Sequence, residues 1–378
     1  MIYCTRCLYP NTKPDLTFNE EGICSACIAF DQREQIDWKE REVLFKKLVV
    51  KADTDHPYDC VIPVSGGKDS HYQVIKALEY GLRPLAVTAF TDDISDIGFR
   101  NLNNISKLGV DHVTVSVNQS IRRKINRYTL ETIGDISWAE HVTIFTIPIR
   151  EAMLRNIPMV LWGENPQNEY GAPNLESMHT YTMEKTWLPE FGGLNGLRVQ
   201  DIIDAEIASK KDMHQYMFPH GFEGKLPENF PYSVFLGQFF PWDGASNAEL
   251  AMKYGFEVSD YRIECSGYNY ENLDNYQTGI HDRFKYLKFG FGRATDLVCN
   301  HIRRGRITRE EGIEHINLFD GIFPDHYLGK PLEEILEPLE MTIEDYIIIE
   351  NKFANTDLFK FDGYPNIPVP IFKAGENA

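Results

Sequence analysis

The sequence predicts an α/β protein whose parallel sheet carries helices on both faces. Three observations support this. Strand-sized apolar runs alternate with helix-compatible runs between residues 59 and 117, the pattern of βαβ units. A serine- and glycine-rich turn, Ser65-Gly66-Gly67-Lys68-Asp69-Ser70, separates the first such strand from the helix after it. Ahead of both, Cys4, Cys7, Cys24 and Cys27 crowd into a stretch that is otherwise polar and turn-forming.

Taken in order, residues 38–50 read as a helix, with Trp38, Leu44, Phe45 and Leu48 at mixed spacings of three and four. A polar break at 53–57 precedes a strand at 59–64. A helix at 71–80 stops at Gly81, a second strand covers 84–90, and a polar helix around 100–108 stops at Gly109. Further strands are expected at 112–117 and at the run Pro158 to Trp162. Ligands of such sheets bind beyond the carboxyl ends of the strands. This brings the Ser65–Ser70 turn, Thr91-Asp92-Asp93 and Gly163-Glu164-Asn165 to one rim. Thr308 and Glu311 form a capping box that starts a later helix. The Pro- and Gly-containing end, 361–378, reads as a loosely held tail.

Strand, glycine turn and helix together build an anion site. Gly66 and Gly67 let the backbone turn sharply and let oxygens approach its N–H groups. The following helix adds unpaired amides and a positive dipole end. Ser65 and Ser70 add hydroxyls, and Lys68 a cation. A Walker A loop needs a Ser or Thr directly after its lysine, and here Asp69 follows Lys68. The hexapeptide instead resembles the pyrophosphatase loop (Ser-Gly-Gly-x-Asp-Ser) of the ATP-pyrophosphatase, or PP-loop, superfamily. That resemblance implies an adenine nucleotide alpha hydrolase-like (HUP-like) core and cleavage of ATP between its α and β phosphates.

The 378 residues are 43% hydrophobic, enough for a sizeable core. No apolar run approaches the ~18 residues that span a bilayer, and the first residues lack an export-type apolar stretch. Both point to a cytoplasmic protein with no membrane partner. A formal net charge of −18 disfavours a broad electrostatic grip on nucleic acid. The clusters Arg122-Arg123-Lys124 and Arg303-Arg304-Gly305-Arg306 read as solvated helix faces rather than polyphosphate clamps.

The four early cysteines follow C-x2-C-x16-C-x2-C, a zinc-ribbon spacing. Two residues between cysteines let both thiolates of a knuckle face one ion, and two knuckles complete a tetrahedral site. A closed Cys4 site is structural, so Zn2+ here would stiffen an appendage and do no chemistry. Disulfides do not suit a reducing compartment, and nothing thioredoxin-like surrounds the pairs. Cys60, Cys265 and Cys299 are widely spread. Cys60 reads as a small core residue.

Two later segments look chemical. Trp162-Gly163-Glu164-Asn165-Pro166-Gln167-Asn168-Glu169-Tyr170-Gly171 packs carboxylates and amides at a strand end, where they would orient a polar substrate or hold Mg2+. Lys285 to Asp296 mixes cations, glycines and aromatics, and its Lys288 and Arg293 suit stabilisation of phosphate charge. His141, His179 and His281 look isolated from one another.

With Gly98-x-x-Asn101-Leu102, Lys288 to Asp296 and Ile302-Arg303 to Glu311 added to these motifs, the chain resembles the N-acetyl sugar amidotransferases of bacterial surface-glycan biosynthesis over nearly its whole length. Members convert an N-acetyl group on a sugar to an N-acetamidino group. Their substrates include nonulosonic acids such as pseudaminic and legionaminic acid, and nucleotide-linked aminouronic acids. The resemblance to the nonulosonic acid enzymes is the closer in length.

The resemblance implies ATP and Mg2+ as co-substrates. Ser65, Gly66, Gly67, Lys68, Asp69, Ser70 and Gly163 then belong to the nucleotide site. Lys68, Asp69, Glu164, Asn165, Lys288, Arg293 and Asp296 are candidate catalytic residues. Asp69 would orient the loop or reach Mg2+. Glu164, Asn165 and Asp296 would position substrate or metal. The implied organisation is a ribbon (1–30), a linking helix (31–57), a nucleotide domain (58–300) and a helical extension (301–378). A fused glutaminase would need an exposed N-terminal cysteine or a nucleophile elbow, and neither is visible. Ammonia is therefore expected free or from a separate glutaminase, similar in some systems to a pair of imidazole-glycerol-phosphate synthase subunits. Two alternatives stay open, a tRNA thiolation enzyme and a non-catalytic nucleotide-binding ribbon protein.

Overall fold

The structure, a computed structural model, describes residues 1–52, 55–91, 93–164, 196–218, 230–362 and 367–377. Its centre is a five-stranded, wholly parallel sheet: β1 (Cys60–Pro63), β2 (Pro84–Phe90), β3 (Asp111–Ser116), β4 (Met159–Trp162) and β5 (Tyr232–Phe235). The strand order is β3-β2-β1-β4-β5. The chain winds outward from β1 to β3, then returns to lay β4 on the other side of β1. The switch point thus falls between β1 and β4, where open α/β sheets place their ligands.

Residues alternate between faces along each strand, and both faces are apolar, as buried parallel sheets require. Val61, Leu85, Val87 and Val160 pack under α5 (Gln119–Ile133) and α6 (Trp138–Leu154), against Ile125, Trp138 and Val142. Cys60, Ile62, Ala86 and Leu161 pack on the other face. There they meet α2 (Trp38–Ala52) through Phe45, α3 (Lys68–Glu79) through Val74 and Ala77, and α4 (Asp96–Lys107) through Ile105. Gly81, at φ +80°, ends α3, with Leu82 donating to the Ala77 carbonyl.

The second half adds α7 (Val199–Asp204), α8 (Gly244–Lys253), α9 (Thr278–Phe289), α10 (Arg293–Arg303) and α11 (Arg309–Phe319). Helix α11 opens with the expected Thr308–Glu311 capping box. Next come the pair β6 (His326–Tyr327) and β7 (Lys330–Pro331), then α12 (Leu332–Leu336), α13 (Ile343–Phe353), β8 (Phe359–Asp362) and β9 (Ile367–Pro370). Helix α10 runs without a break through residue 300.

The chain end is not the loose tail expected. Strand β9 pairs antiparallel with β8. Phe372 packs on Tyr286 and Phe359, Ala374 is buried, and the Asn377 side chain accepts from the Tyr3 amide. The Pro and Gly residues here shape a strand pair and close contacts. The cysteine-rich start is likewise no separate appendage. Cys4, Cys7, Leu8, Tyr9 and, on α1 (Ser25–Arg33), Cys27 share one apolar cluster with Phe291, Val298, Cys299 and Ile316. No helix among the described residues is long and apolar enough to cross a membrane.

Candidate active site

The Ser65–Ser70 turn leaves β1 at the switch point. The Ser65 amide donates to Ser70 Oγ at 2.9 Å, so the loop's last residue holds its first. Gly66 sits at φ +90°, and a Cβ on it would lie 2.7 Å from the Leu102 nitrogen. Only glycine suits both constraints. Gly67 is the N-cap of α3, and its amide donates to Ser65 Oγ at 3.4 Å. The first turn of a twelve-residue helix therefore faces the loop. The Gly98-x-x-Asn101-Leu102 motif now has a physical account. Gly98 lets Asp274 approach, since a Cβ would meet Asp274 Cα at 2.7 Å. The Asn101 amide exchanges two hydrogen bonds with the Glu257 backbone, and Leu102 braces Gly66.

Behind the loop lies a charge network that sequence reasoning only half found. Lys68 Nζ is 2.8 Å from Asp69 Oδ2 and 2.8 Å from Glu271 Oε1. Arg293 pairs with Glu271 Oε2 at 2.7 Å. Asn247 donates to the other Asp69 oxygen at 2.7 Å. Lys68 and Glu271 are only 7% and 2% exposed, so neither charge can rely on water. Burial pushes the Glu271 carboxyl up, but Lys68 and Arg293 outweigh it and hold the pKa at about 2. Burial likewise disfavours the Lys68 ammonium, while Asp69 and Glu271 hold its pKa above the ordinary value. The site thus presents a lysine and an arginine on one carboxylate.

Glu271 sits in the run 270–275 (Tyr-Glu-Asn-Leu-Asp-Asn), which has no helix or strand pattern. Its acids and amides were the available signal. The Ser95 hydroxyl ties the run to α4 at the Leu273 carbonyl. Asp274 lies beside Ser65, and burial raises its pKa. A small polar pocket of about 150 Å³ opens between the loop and this run.

Two larger pockets share Ser65, Ala89, His141, Ile144 and Glu164 as a common border. One, of about 520 Å³, has apolar walls from Val87, Phe145, Pro148, Trp162 and Trp242. The other, of about 430 Å³, is lined by Asn272, Asp274, Lys285, Arg293 and Asp296, among others. An apolar cavity and a more polar one thus adjoin beside Ser65 of the glycine loop. Gly163 ends β4 against Gln73 and Trp242, where a Cβ would be 2.6 Å from the Gln73 amide nitrogen. Asn165 and residues 166–171 lie outside the described residues.

Asp296 accepts from Tyr9 Oη at 2.9 Å and pairs with Lys285. Burial raises its pKa, but Lys285 and Arg293 pull it below the ordinary value. Lys288 does not join Lys68 and Arg293. Its ammonium donates to the Ile133 and Gly134 carbonyls at 3.3 and 3.0 Å, closing the end of α5.

The arginine clusters are only partly solvated: Lys124 and Arg306 are exposed, but other members turn inward. Arg122 is buried between Asp93 and Glu140. Arg303 is buried, and Arg304 and Arg306 both pair with Asp243. His141 and His281 are not isolated. Their rings lie edge to face at 5.3 Å, and both approach Asp135. His179 lies outside the described residues.

The Sγ atoms of Cys4, Cys7, Cys24 and Cys27 all lie within 4.8 Å of one another, and all four residues are buried. The pairs Cys7–Cys24 and Cys4–Cys27 are 3.6 and 3.9 Å apart. Four sulfurs at about 2.3 Å from one ion would stand roughly 3.8 Å apart, so the set fits a tetrahedral zinc. Backbone amides of Cys24 and Tyr9 point at Cys4 and Cys7 sulfurs, the partners a thiolate needs. Arg309 donates to the Cys4 and Cys7 carbonyls. Cys299, although far off in sequence, accepts from the Leu8 amide beside this cluster.

The family described as LPS biosynthesis protein WbpG-like, C-terminal domain, matches residues 264–369, the stretch that carries Glu271, Asp274, Arg293 and Asp296. No curated protein matches. Among solved structures, an NMN synthetase from Francisella tularensis is similar at 14% identity and a TM-score of 0.29, covering 60% of this chain and 89% of that one.

Proposed function

We propose that this chain is an ATP-dependent amidotransferase of glycan biosynthesis that turns an N-acetyl group of a sugar into an N-acetamidino group. The carrying observation is the braced Ser65–Ser70 loop, with Lys68, Glu271 and Arg293 behind it and an apolar and a more polar cavity adjoining it at Ser65. A nucleotide's base suits the apolar cavity and a hydroxylated, charged sugar the polar one, with the phosphates over the adjoining loop. Similarity of residues 264–369 to a lipopolysaccharide-biosynthesis family supports the choice of a glycan substrate.

An amide carbonyl is a poor electrophile with a poor leaving group. Attack of its oxygen on the α-phosphorus of ATP forms an O–P bond and expels pyrophosphate. Ammonia then bonds to the activated carbon, AMP departs with the oxygen, and a proton is lost. This splits one high barrier into two lower ones. In this reading Ser65, Gly66, Gly67, Ser70 and the start of α3 hold the leaving pyrophosphate. Lys68 and Arg293 neutralise its charge. Asp69, Glu164, Asn165 and Asp296 position substrate or Mg2+, and Lys288 supports the fold near the site. Zinc on the four cysteines fixes the ribbon against α10. Nonulosonic acids are the first substrates to test, and ammonia comes free or from a partner glutaminase. The division at residues 30 and 57 is part of the same proposal.

The test is mass spectrometry of reactions with ATP, Mg2+, an ammonium salt and a panel of free and nucleotide-linked N-acetyl sugars. A product lighter by the difference between O and NH, with AMP and pyrophosphate, supports the reading. Its absence across the panel, with AMP released on tRNA and a sulfur donor, overturns it in favour of thiolation.

A further inference from the structure

The polar cavity continues into a second one. A pocket of about 380 Å³ shares His141, His281, Lys285, Arg293 and Asp296 with it and reaches Lys13, Pro14 and Asp15 of the cysteine-rich segment. His281 therefore stands where two cavities meet. Its Nδ1 lies 3.4 Å from Asp135 Oδ1, and His141 Nδ1 lies 4.0 Å from the other Asp135 oxygen. Asp135 is itself fixed, since the Ser137 amide donates to it at 2.8 Å at the start of α6. A carboxylate at Nδ1 selects the tautomer whose Nε2 carries the lone pair.

We infer that His281, oriented by Asp135, is the base that takes a proton from ammonia as its nitrogen bonds to the activated carbon. This rests on the functional reading above. In the step the N–C bond forms, one N–H proton passes to His281 Nε2, and the C–O bond to AMP breaks with its electron pair going to the phosphate oxygen. His281 is the catalytic group and Asp135 a positioning residue.

The neighbours are poorer bases. Asp296 is paired with Lys285 and held below its ordinary pKa, and Glu140 is taken by Arg122. Asp282, which accepts from Asn272 at 3.1 Å, and Asp274, which lines the polar cavity, are rivals. Burial alone would lower the His281 pKa, but Asp135 and Asp282 raise it above the ordinary imidazole value, with Lys285 opposing them. His141, Glu140, Asp274 and Arg293 line the same cavity, and Lys13, Asp15 and Lys288 line the second. Such a base is suited to work near neutral pH.

The experiment separates the half-reactions in the full-length protein, using ammonium chloride and whichever panel sugar supports pyrophosphate–ATP exchange. Exchange reads only activation, and amidine formation reads both steps. In His281→Gln, amidine formation should fall about 10²–10⁴-fold while exchange persists, which also shows the variant is folded. Added imidazole should restore part of the loss in His281→Ala, an effect a structural role would not give. Amidine formation by His281→Gln close to that of the unaltered chain overturns the inference, as does a selective loss in Asp282→Asn alone. No sugar-dependent exchange in the unaltered chain counts against the functional reading, and the inference falls with it.

Discussion

Gly66 and Leu102 touch backbone to backbone, so a single methyl group on Gly66 would lie 2.7 Å from the Leu102 nitrogen and 2.8 Å from its Cα. The Ser65–Ser70 loop is therefore braced by α4 rather than held by its own hydrogen bonds alone. Gly66→Ala must either move α4 or abandon φ +90°, at a cost of roughly 1–3 kcal/mol. It should lower the melting temperature and abolish pyrophosphate release. Gly67→Ala is the control. Its φ is −69°, and a Cβ would meet only Ser65 Oγ at 3.4 Å, so stability should be almost unchanged. Thermal melts of the two variants check the contrast.

Glu271 holds Lys68 and Arg293 together. Removing one partner of a buried pair leaves uncompensated charge and costs about 3–5 kcal/mol. Glu271→Ala should therefore destabilise the protein in denaturant titrations more than Glu164→Ala, whose side chain is half-buried.

The same carboxylate sets an acid limit. Its folded pKa of about 2 lies below its ordinary value of 4.5. The unfolded chain thus binds the proton more readily between these values. The stabilisation is fully present above the ordinary value and is lost as pH falls from about 4.5 towards 2. The slope of stability against pH over that window should be shallower in Glu271→Gln.

Zinc should be present at one ion per chain by elemental analysis. Since the four cysteines share a core with Val298 and Cys299 of α10, chelation should lower the melting temperature by roughly 5–10 °C. Tyr9, two residues after Cys7, bonds Asp296, so metal loss should also weaken activity. Tyr9→Phe isolates that link without removing the metal.

Strands β1 to β4 were legible because they are short and bounded by turn residues, whereas β5 (Tyr232–Phe235) was not read. Strand β2 was read at its true limits. Helix α3 starts at Lys68 rather than at 71, because Gly67 serves as the cap and the loop's last residues are already helical. Helices α5 and α6 were not read. One is strongly polar, and the other contains Pro148 and is apolar on most sides. Arg122 and Arg304 were misread because Asp93, Glu140 and Asp243, their partners, lie well away in sequence. For the same reason Glu271 and the Asp135–His281 pair were invisible. Local patterns reveal a glycine turn between strand and helix, but not the irregular segment that folds over it.

The most direct test of the account is the mass of the sugar after reaction with ATP, Mg2+ and ammonium. The account predicts a product lighter by the difference between O and NH, formed one for one with AMP and pyrophosphate and absent in Gly66→Ala. An unchanged sugar mass across the whole panel, with ATP cleaved to AMP on another acceptor, would contradict it.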